Sequence, residues 1–380
     1  MYRPADMSDV TAAEFFAGIG LMRLGLEGSG IETRWANDIE ADKRDLYVAN
    51  FGDDEFVLRD VRDVEGDDLP TVDLATASFP CTDLSLAGNR KGLGATAAPR
   101  GQDGGSSMFW EFARVIDEMG DRRPSAVLLE NVLGFASSHG GRDLREAVIS
   151  LNELGYSCDL LAVDARRFVP QSRPRMFIVG LVHVDEADEF DALADRPRWA
   201  HDFVRNNPSA RVHARSLPSL PAADHDLATI LQPADADDVD WWDEDRTESF
   251  LCSLSPVQTE RLQSLRNASS PSCRTAYRRT RNGKAVWEIR ADSIAGCLRT
   301  ARGGSSKQAL VEAGGGNVRV RWMTPREYAR LMGAPEFKLE ARRNQALFGF
   351  GDAVCVPVVT WLCDNYLRVA IEATKRAVPA

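Results

Sequence analysis

The sequence predicts an α/β fold, a largely parallel sheet with helices on both faces, followed by a smaller, irregular, β-rich region. Three observations carry this. Short apolar runs alternate with helix-length amphipathic segments through residues 10–182, the rhythm of strands joined by crossover helices. Residues 184–250 break that rhythm with prolines at 197, 208, 218, 221 and 233, many aspartates and little periodicity, as an insertion or second domain does. Helical patterning returns at Thr324-Pro325-Arg326-Glu327, with proline in a first turn. At 380 residues the chain is long enough for two packed units.

Taken in order, strands are expected at 11–16, 34–37, 57–60, 73–77, 126–130 and 176–181. Helices are expected from Leu21, over 108–119 and 143–154, and finally from near Asp352 through Trp361 to about residue 374. Apolar residues make up 44% and charged residues 27%, ordinary for a soluble globular chain. Neither a membrane-length apolar run nor a signal-peptide core is present in the sequence. Seven cysteines without a CxxC pair argue against a zinc ribbon or disulfide scaffold and suit a reducing cytoplasm. No metal is expected.

The formal net charge is -11, which in bulk disfavours a polyanionic partner. Its distribution changes that reading. Residues 184–250 carry -11, residues 251–307 carry +8, and the remainder carries -8. The acidic run 235–245 reads as a solvated face. In the basic segment, Arg274, Arg278, Arg279, Arg281 and Lys284 lie close together with Tyr277 and Trp287 interleaved, and Asn282-Gly283 marks a turn. This is either a solvated hairpin or a surface that tracks phosphates.

Chemistry-bearing residues gather where the expected strands end. Phe16-Ala17-Gly18-Ile19-Gly20 joins the first strand to a helix; the glycines let a ligand approach the backbone, although a tight strand–helix turn uses the same residues. Asp38 ends the second strand, where a carboxylate can take two ribose hydroxyls, and Asp60 ends the third, within reach of an adenine amino group. Three such strand ends describe an adenosine-containing cofactor. Without a completed GxGxxG, a nucleoside without pyrophosphate is favoured.

Phe79-Pro80-Cys81 follows the fourth strand and leads into a loop holding Gly88, Gly92 and Gly94, so Cys81 is an accessible thiol. Glu130-Asn131-Val132 closes a strongly apolar strand. A carboxyl there is either a proton donor with a raised pKa or a simple cap of the next helix. Arg173 and Arg175, in Gln171-Ser172-Arg173-Pro174-Arg175, alternate so that both guanidinium groups can enter one cleft; surface ion pairing is the plainer reading.

Together and in this order, these motifs resemble the C5-cytosine DNA methyltransferase family. The resemblance continues through Arg299-Thr300-Ala301, residues 324–335 and residues 347–357. It implies a Rossmann-like S-adenosylmethionine-dependent methyltransferase sheet with helices on both faces, plus a smaller irregular β-rich target-recognition domain. The implied boundaries are 1–185 for the catalytic domain, 186–317 for the small domain, and 318–380 for the returning segment.

By the same resemblance, Cys81 is the nucleophile at cytosine C6, Glu130 relieves charge at N3, and Asn131 helps fix the loop and the base. Arg175, with Arg173, orients the base. S-adenosylmethionine, converted to S-adenosylhomocysteine, would sit against Phe16, Ala17, Gly18, Gly20, Asp38, Ile39, Asp60, Val61 and Pro80. The target cytosine would be flipped from duplex DNA. The five basic residues of the hairpin, with Arg302 and Lys307, would contact that duplex. A monomer on DNA is expected, with a cognate restriction endonuclease or other defence component as a further partner.

The chain departs from the family pattern at Leu21, where another Gly is frequent, at Thr82, where Gln often follows the Cys, and at Asp352, where Asn is common. Asp352 is expected to cap the final helix, or to place its charge near the methyl donor. Two other functions remain: a tRNA cytosine-5 methyltransferase of the same superfamily, and a non-catalytic DNA-binding regulator on this scaffold.

Overall fold

A computed structural model describes residues 10–80, 108–184, 196–281, 283–300 and 307–377. The chain divides into two compact units, one drawn from 1–163, 174–219 and 358–380, the other from 164–173 and 220–357.

The first unit is built on β1 (Val10–Phe15), α1 (Leu21–Gly28), β2 (Ile31–Asp38), α2 (Ala41–Phe51), β3 (Phe56–Leu58), β4 (Leu74–Ala77), α3 (Met108–Glu118), β5 (Ala126–Val132), α4 (Arg142–Glu153), β6 (Ser157–Asp164), β7 (Pro174–Leu181) and α5 (Arg198–Asn206). Seven strands form one sheet in the order β3-β2-β1-β4-β5-β7-β6. The first five are mutually parallel, whereas β7 runs antiparallel to β5. Strands such as Leu74–Ala77 are buried throughout, as strands covered on both faces must be. On α3, Phe109, Phe112, Val115 and Ile116 are buried at helical spacing; on α4, Leu144, Ala147, Val148 and Leu151 are. The expected α/β sheet is therefore present. Strand β6 was not among the expected strands, although Leu160, Leu161 and Val163 are buried in it.

The second unit contains α6 (Glu244–Cys252), α7 (Pro256–Arg266), β8 (Ser272–Arg281), β9 (Lys284–Ile289), β10 (Ala309–Gly314), β11 (Asn317–Trp322), α8 (Pro325–Leu331) and α9 (Arg343–Asp352). Its four-stranded antiparallel sheet has the order β11-β10-β8-β9. Phe250, Leu262, Trp287, Val311 and Val320 form its core, and the Trp242 ring lies 5.2 Å from Trp322 and 5.7 Å from Trp287. Helix α8 starts as its sequence predicts, with Pro325 in the first turn and a reciprocal cap between Thr324 and Glu327.

The chain then re-enters the first unit through α10 (Val356–Leu362), a single π-turn (Cys363–Leu367) and α11 (Arg368–Ala377). The helical run Arg343–Arg376, which includes these segments, is apolar and long enough to cross a membrane, but 67% of its most apolar window is buried in the protein, as in the core helix of a folded domain. Thr360 Oγ1 donates to Gly25 O at 3.2 Å, and Lys375 Nζ lies 2.9 Å from the Asp73 carboxylate.

One expectation changes. Asp352 does not start the final helix; it is the last residue of α9, and the following helix begins at Val356. The two compact units have limits of their own beside the domain boundaries expected at 185 and 317. Residues 196–219 pack with the large sheet because Arg196 makes a bidentate pair with Asp159 of β6 at 2.9 and 2.7 Å, and His213 N donates to Cys158 O at 3.1 Å. Residues 318–357 stay with the small sheet because β11 pairs with β10 along its length.

Candidate active site

In a parallel sheet the carboxyl ends of β1 to β5 share one edge. Because β7 is antiparallel, its first residues reach that edge: Val132 pairs with Arg175 and Glu130 with Phe177. Opposite residues of an antiparallel pair share a face, so Glu130 and Arg175 are diagonal neighbours. Their side chains make an ion pair, Arg175 Nε to Glu130 Oε1, at 2.8 Å, with side-chain exposures of 15% and 8%. The adjacent Asn131 is buried, and its Nδ2 donates to Phe79 O at 3.2 Å. That bond ties the end of β5 to the backbone two residues before Cys81. A ring contact of 5.7 Å between Phe79 and Phe135 reinforces it. Cys81 itself lies outside the described residues.

Arg173 behaves differently from Arg175. The strand begins only at Pro174, so strand alternation does not govern Arg173. It is 2% exposed and belongs to the second unit. Its Nη1 donates to Leu298 O at 3.0 Å and its Nη2 to Gly351 O and Ala353 O at 3.1 and 2.5 Å. Gln171 is likewise committed there, donating to Leu331 O and accepting from Leu298 N. One motif thus supplies structural clips at its start and a sheet-edge cation at its end.

The nucleoside side of the edge is formed by β1, β2 and β3. Phe16 and Gly18 have φ of 56° and 59°, and Gly20 has 87°. The two glycines are required for different reasons. A Cβ on Gly20 would stand 2.5 Å from Phe51 Cε2 and 2.8 Å from Tyr47 Cδ2, whereas one on Gly18 would meet nothing nearer than Phe16 O at 4.0 Å. Gly20 serves packing; Gly18 keeps an open flank. Ala17 is buried, and Leu21 is the buried first residue of α1.

Asp38 is buried and uses both oxygens locally, accepting from Gly18 N at 2.8 Å and Glu40 N at 2.9 Å. Burial raises its pKa, with Lys43 and these two amides opposing. Asp60 caps the turn Val61–Asp63 and pairs with Arg62 at 2.6 Å. Val61 is buried and Pro80 exposed. Beside these polar groups, Ile39 is 60% exposed and Leu58 46% exposed at neighbouring strand ends.

Sequence reading missed Glu14. This β1 carboxyl is 2% exposed and its Oε2 has no hydrogen-bond partner. Burial pushes its pKa up to about 8 against the charge and main-chain N–H of Arg23. The signal was available, since an acid inside the apolar run Ala12-Ala13-Glu14-Phe15-Phe16 is unusual.

In the second unit the expected hairpin exists as β8 and β9, with Arg278, Arg279, Arg281 and Lys284 exposed. Two of the residues expected at a duplex have partners within the protein. Arg274 is half-buried on the core-facing side of β8, opposite Val311, and donates to Cys273 O at 2.7 Å. Lys307 donates to Asn344 Oδ1 at 2.7 Å, and its pKa is lowered by burial and by the charges of Arg343 and Arg246. Arg302 lies outside the described residues. Among the described residues no cluster of metal-ligating side chains occurs.

The family model described as C-5 cytosine-specific DNA methylase matches residues 10–368. The chain is 26% identical over 356 residues to the type II methyltransferase M.HhaI of Haemophilus parahaemolyticus, covering 93% of this chain and 92% of that one. It is 28% identical over 365 residues to M.NlaX of Neisseria lactamica, covering 95% and 96%. Among solved structures, the methyltransferase EhMeth of Entamoeba histolytica superposes with a TM-score of 0.63 at 14% identity, covering 95% of this chain and 98% of that one. A DNMT2 of Spodoptera frugiperda gives 0.58 at 17% identity, covering 95% and 100%. Both share the fold.

Proposed function

The chain belongs to the C-5 cytosine-specific DNA methylase family, and on that premise we propose that it methylates C5 of a cytosine flipped out of duplex DNA, through a covalent bond between Cys81 and C6. Its enzyme class is DNA (cytosine-5-)-methyltransferase. The observation that carries the site assignment is the Glu130–Arg175 pair at 2.8 Å on the sheet edge. A carboxyl oriented by a guanidinium is suited to a ring that gains charge at N3 when a thiolate adds at C6.

In this reading the Cys81 thiolate forms the Sγ–C6 bond, and the displaced ring electrons make C5 nucleophilic. Glu130 holds or donates a proton at N3, Arg175 fixes Glu130 and the base, and Asn131 anchors the backbone leading to the nucleophile. Once C5 is methylated, its proton leaves and the Sγ–C6 bond breaks, restoring the thiolate. S-adenosylmethionine supplies the electrophilic methyl group when bound.

The residues present fit that donor. Gly18 keeps an open flank, and exposed Ile39 and Leu58 offer apolar surface to a purine. Asp38 retains lone pairs for ribose hydroxyls beyond its two amide bonds. Asp60, although held by Arg62, stands at the next strand end with Val61, and the backbone of Phe16 and Ala17 completes the turn. Pro80 would border the donor from the β4 side.

The names of the type II relatives support a restriction–modification role with a partner endonuclease. Transfer of labelled methyl groups should occur to pooled duplex DNA, vanish in Cys81→Ser, and map to cytosine C5 by bisulfite sequencing. Transfer to tRNA with none to duplex DNA would overturn the DNA reading. Protection of the methylated DNA from a nuclease cutting at the same site tests the biological role.

A further inference from the structure

We propose that Glu288 limits how strongly the β8–β9 hairpin binds nucleic-acid phosphate, by holding Arg279 and Arg281 in a protein ion pair that phosphate must replace. The proposal rests on duplex DNA being the substrate. Its basis is the strand register. Tyr277 pairs with Glu288, Arg279 with Val286, and Arg281 with Lys284, so these side chains share one face of the hairpin, while Trp287 and Ile289 turn to the core.

On that face Glu288 engages both arginines. Arg281 Nε and Nη2 lie 2.9 and 2.7 Å from Oε1, and Arg279 Nε lies 3.1 Å from Oε2. The carboxylate is 18% exposed, against 44% for Arg279 and 61% for Arg281. The guanidinium groups therefore cover the acid rather than the reverse. Arg279 is fixed further by the Tyr277 ring, 5.0 Å from its guanidinium carbon.

A guanidinium presents the same fork of donors to phosphate as to carboxylate, and exposed ion pairs of this kind contribute little. Exchange onto DNA is thus accessible, but each exchange strands or displaces one acid. Glu288 also subtracts a charge from a hairpin whose remaining exposed ionic residues, Arg278 and Lys284, are cations. The cost applies to every duplex, whatever its sequence, because phosphates carry no sequence information.

The test is equilibrium binding of the full chain to a short random-sequence duplex across a salt series. Glu288→Gln should bind about three- to tenfold more tightly at low salt, with a log–log salt slope steeper by about one. Adding Arg279→Ala and Arg281→Ala should abolish that gain and bring affinity below the parent. Thermal melting confirms that each variant is folded. Unchanged affinity and slope in Glu288→Gln, or a gain that survives loss of both arginines, would overturn the proposal. Methyl transfer by the parent chain judges the DNA reading separately: a parent that methylates DNA while Glu288→Gln binds as before leaves that reading intact and sinks this one.

Discussion

Arg175 Nε stands 2.8 Å from Glu130 Oε1 because antiparallel β7 delivers its first residues to the edge where parallel β5 ends. Both side chains are largely removed from water, so neither can lose its partner cheaply. Glu130→Gln is expected to lower single-turnover methyl transfer by at least ~100-fold. It should also destabilise the first unit by roughly 3 kcal/mol, because Arg175 is left with an uncompensated charge. Arg175→Lys keeps the charge but loses the planar fork, so turnover should fall with a smaller change in melting temperature. Full activity in Glu130→Gln would remove this pair from the chemistry.

The two glycines of the first turn should separate under substitution. Gly20→Ala drives a methyl group into Phe51 and Tyr47 and also strains a left-handed backbone, so its main effect should be a lower melting temperature. Gly18→Ala meets open space and carries only the conformational cost, ~1 kcal/mol. Its larger effect should be weaker binding of S-adenosylhomocysteine by calorimetry. Equal effects of both changes on melting and binding would contradict the division of roles.

Glu14 makes stability fall as pH rises. Its folded-state pKa of about 8 lies above the ordinary 4.5, so between those values the unfolded chain has released a proton that the folded chain retains. The contribution is complete below about pH 4.5 and is lost as pH climbs through 8. Glu14→Gln should flatten the decline in melting temperature between pH 6 and 9, a window spanning the upper part of that titration. An unchanged alkaline limb would exclude Glu14 as its source.

His213 acts in the opposite direction. Burial lowers its pKa from 6.5 to about 4 against the attraction of Asp159. Its ring nitrogens contact Tyr366 Oη at 2.9 Å and Ser157 Oγ at 3.1 Å, and Tyr366 donates to Asp159 at 2.8 Å. The folded state requires the neutral ring. That stability is present above pH 6.5 and declines as pH falls toward 4. His213→Gln should blunt acid unfolding over this window, and a parent-like acid limb in the variant would refute the assignment.

Much of the site was legible because strand ends are local features. Gly18, Asp38 and Glu130 follow or close an apolar run and Arg175 opens one, and the sheet then gathers them on one edge. What was not legible depends on partners distant in sequence. Arg173 reads like Arg175, yet its hydrogen bonds reach Leu298, Gly351 and Ala353. Arg274 reads like its exposed neighbours, but the register against Val311 turns it toward the core. The packing of residues 196–219 on the large sheet was not legible because Arg196 answers Asp159, an acid inside a strand the sequence pattern did not reveal. Asp352 and the break before Val356 were hidden by the helical character on either side.

The return of α10 and α11 to the first unit has a consequence for biogenesis. Asp73, just before β4, accepts from Thr11 N at 2.8 Å and meets Lys375 at 2.9 Å, so β1 and α11, far apart in the sequence, converge on one residue. On the ribosome, where the N-terminal end emerges first, the segments 164–173 and 220–357 are all available before the last helix exists. The small unit can therefore close while the larger sheet still lacks Tyr366 and Lys375. The first unit is thus completed only after the whole of the second has been synthesised.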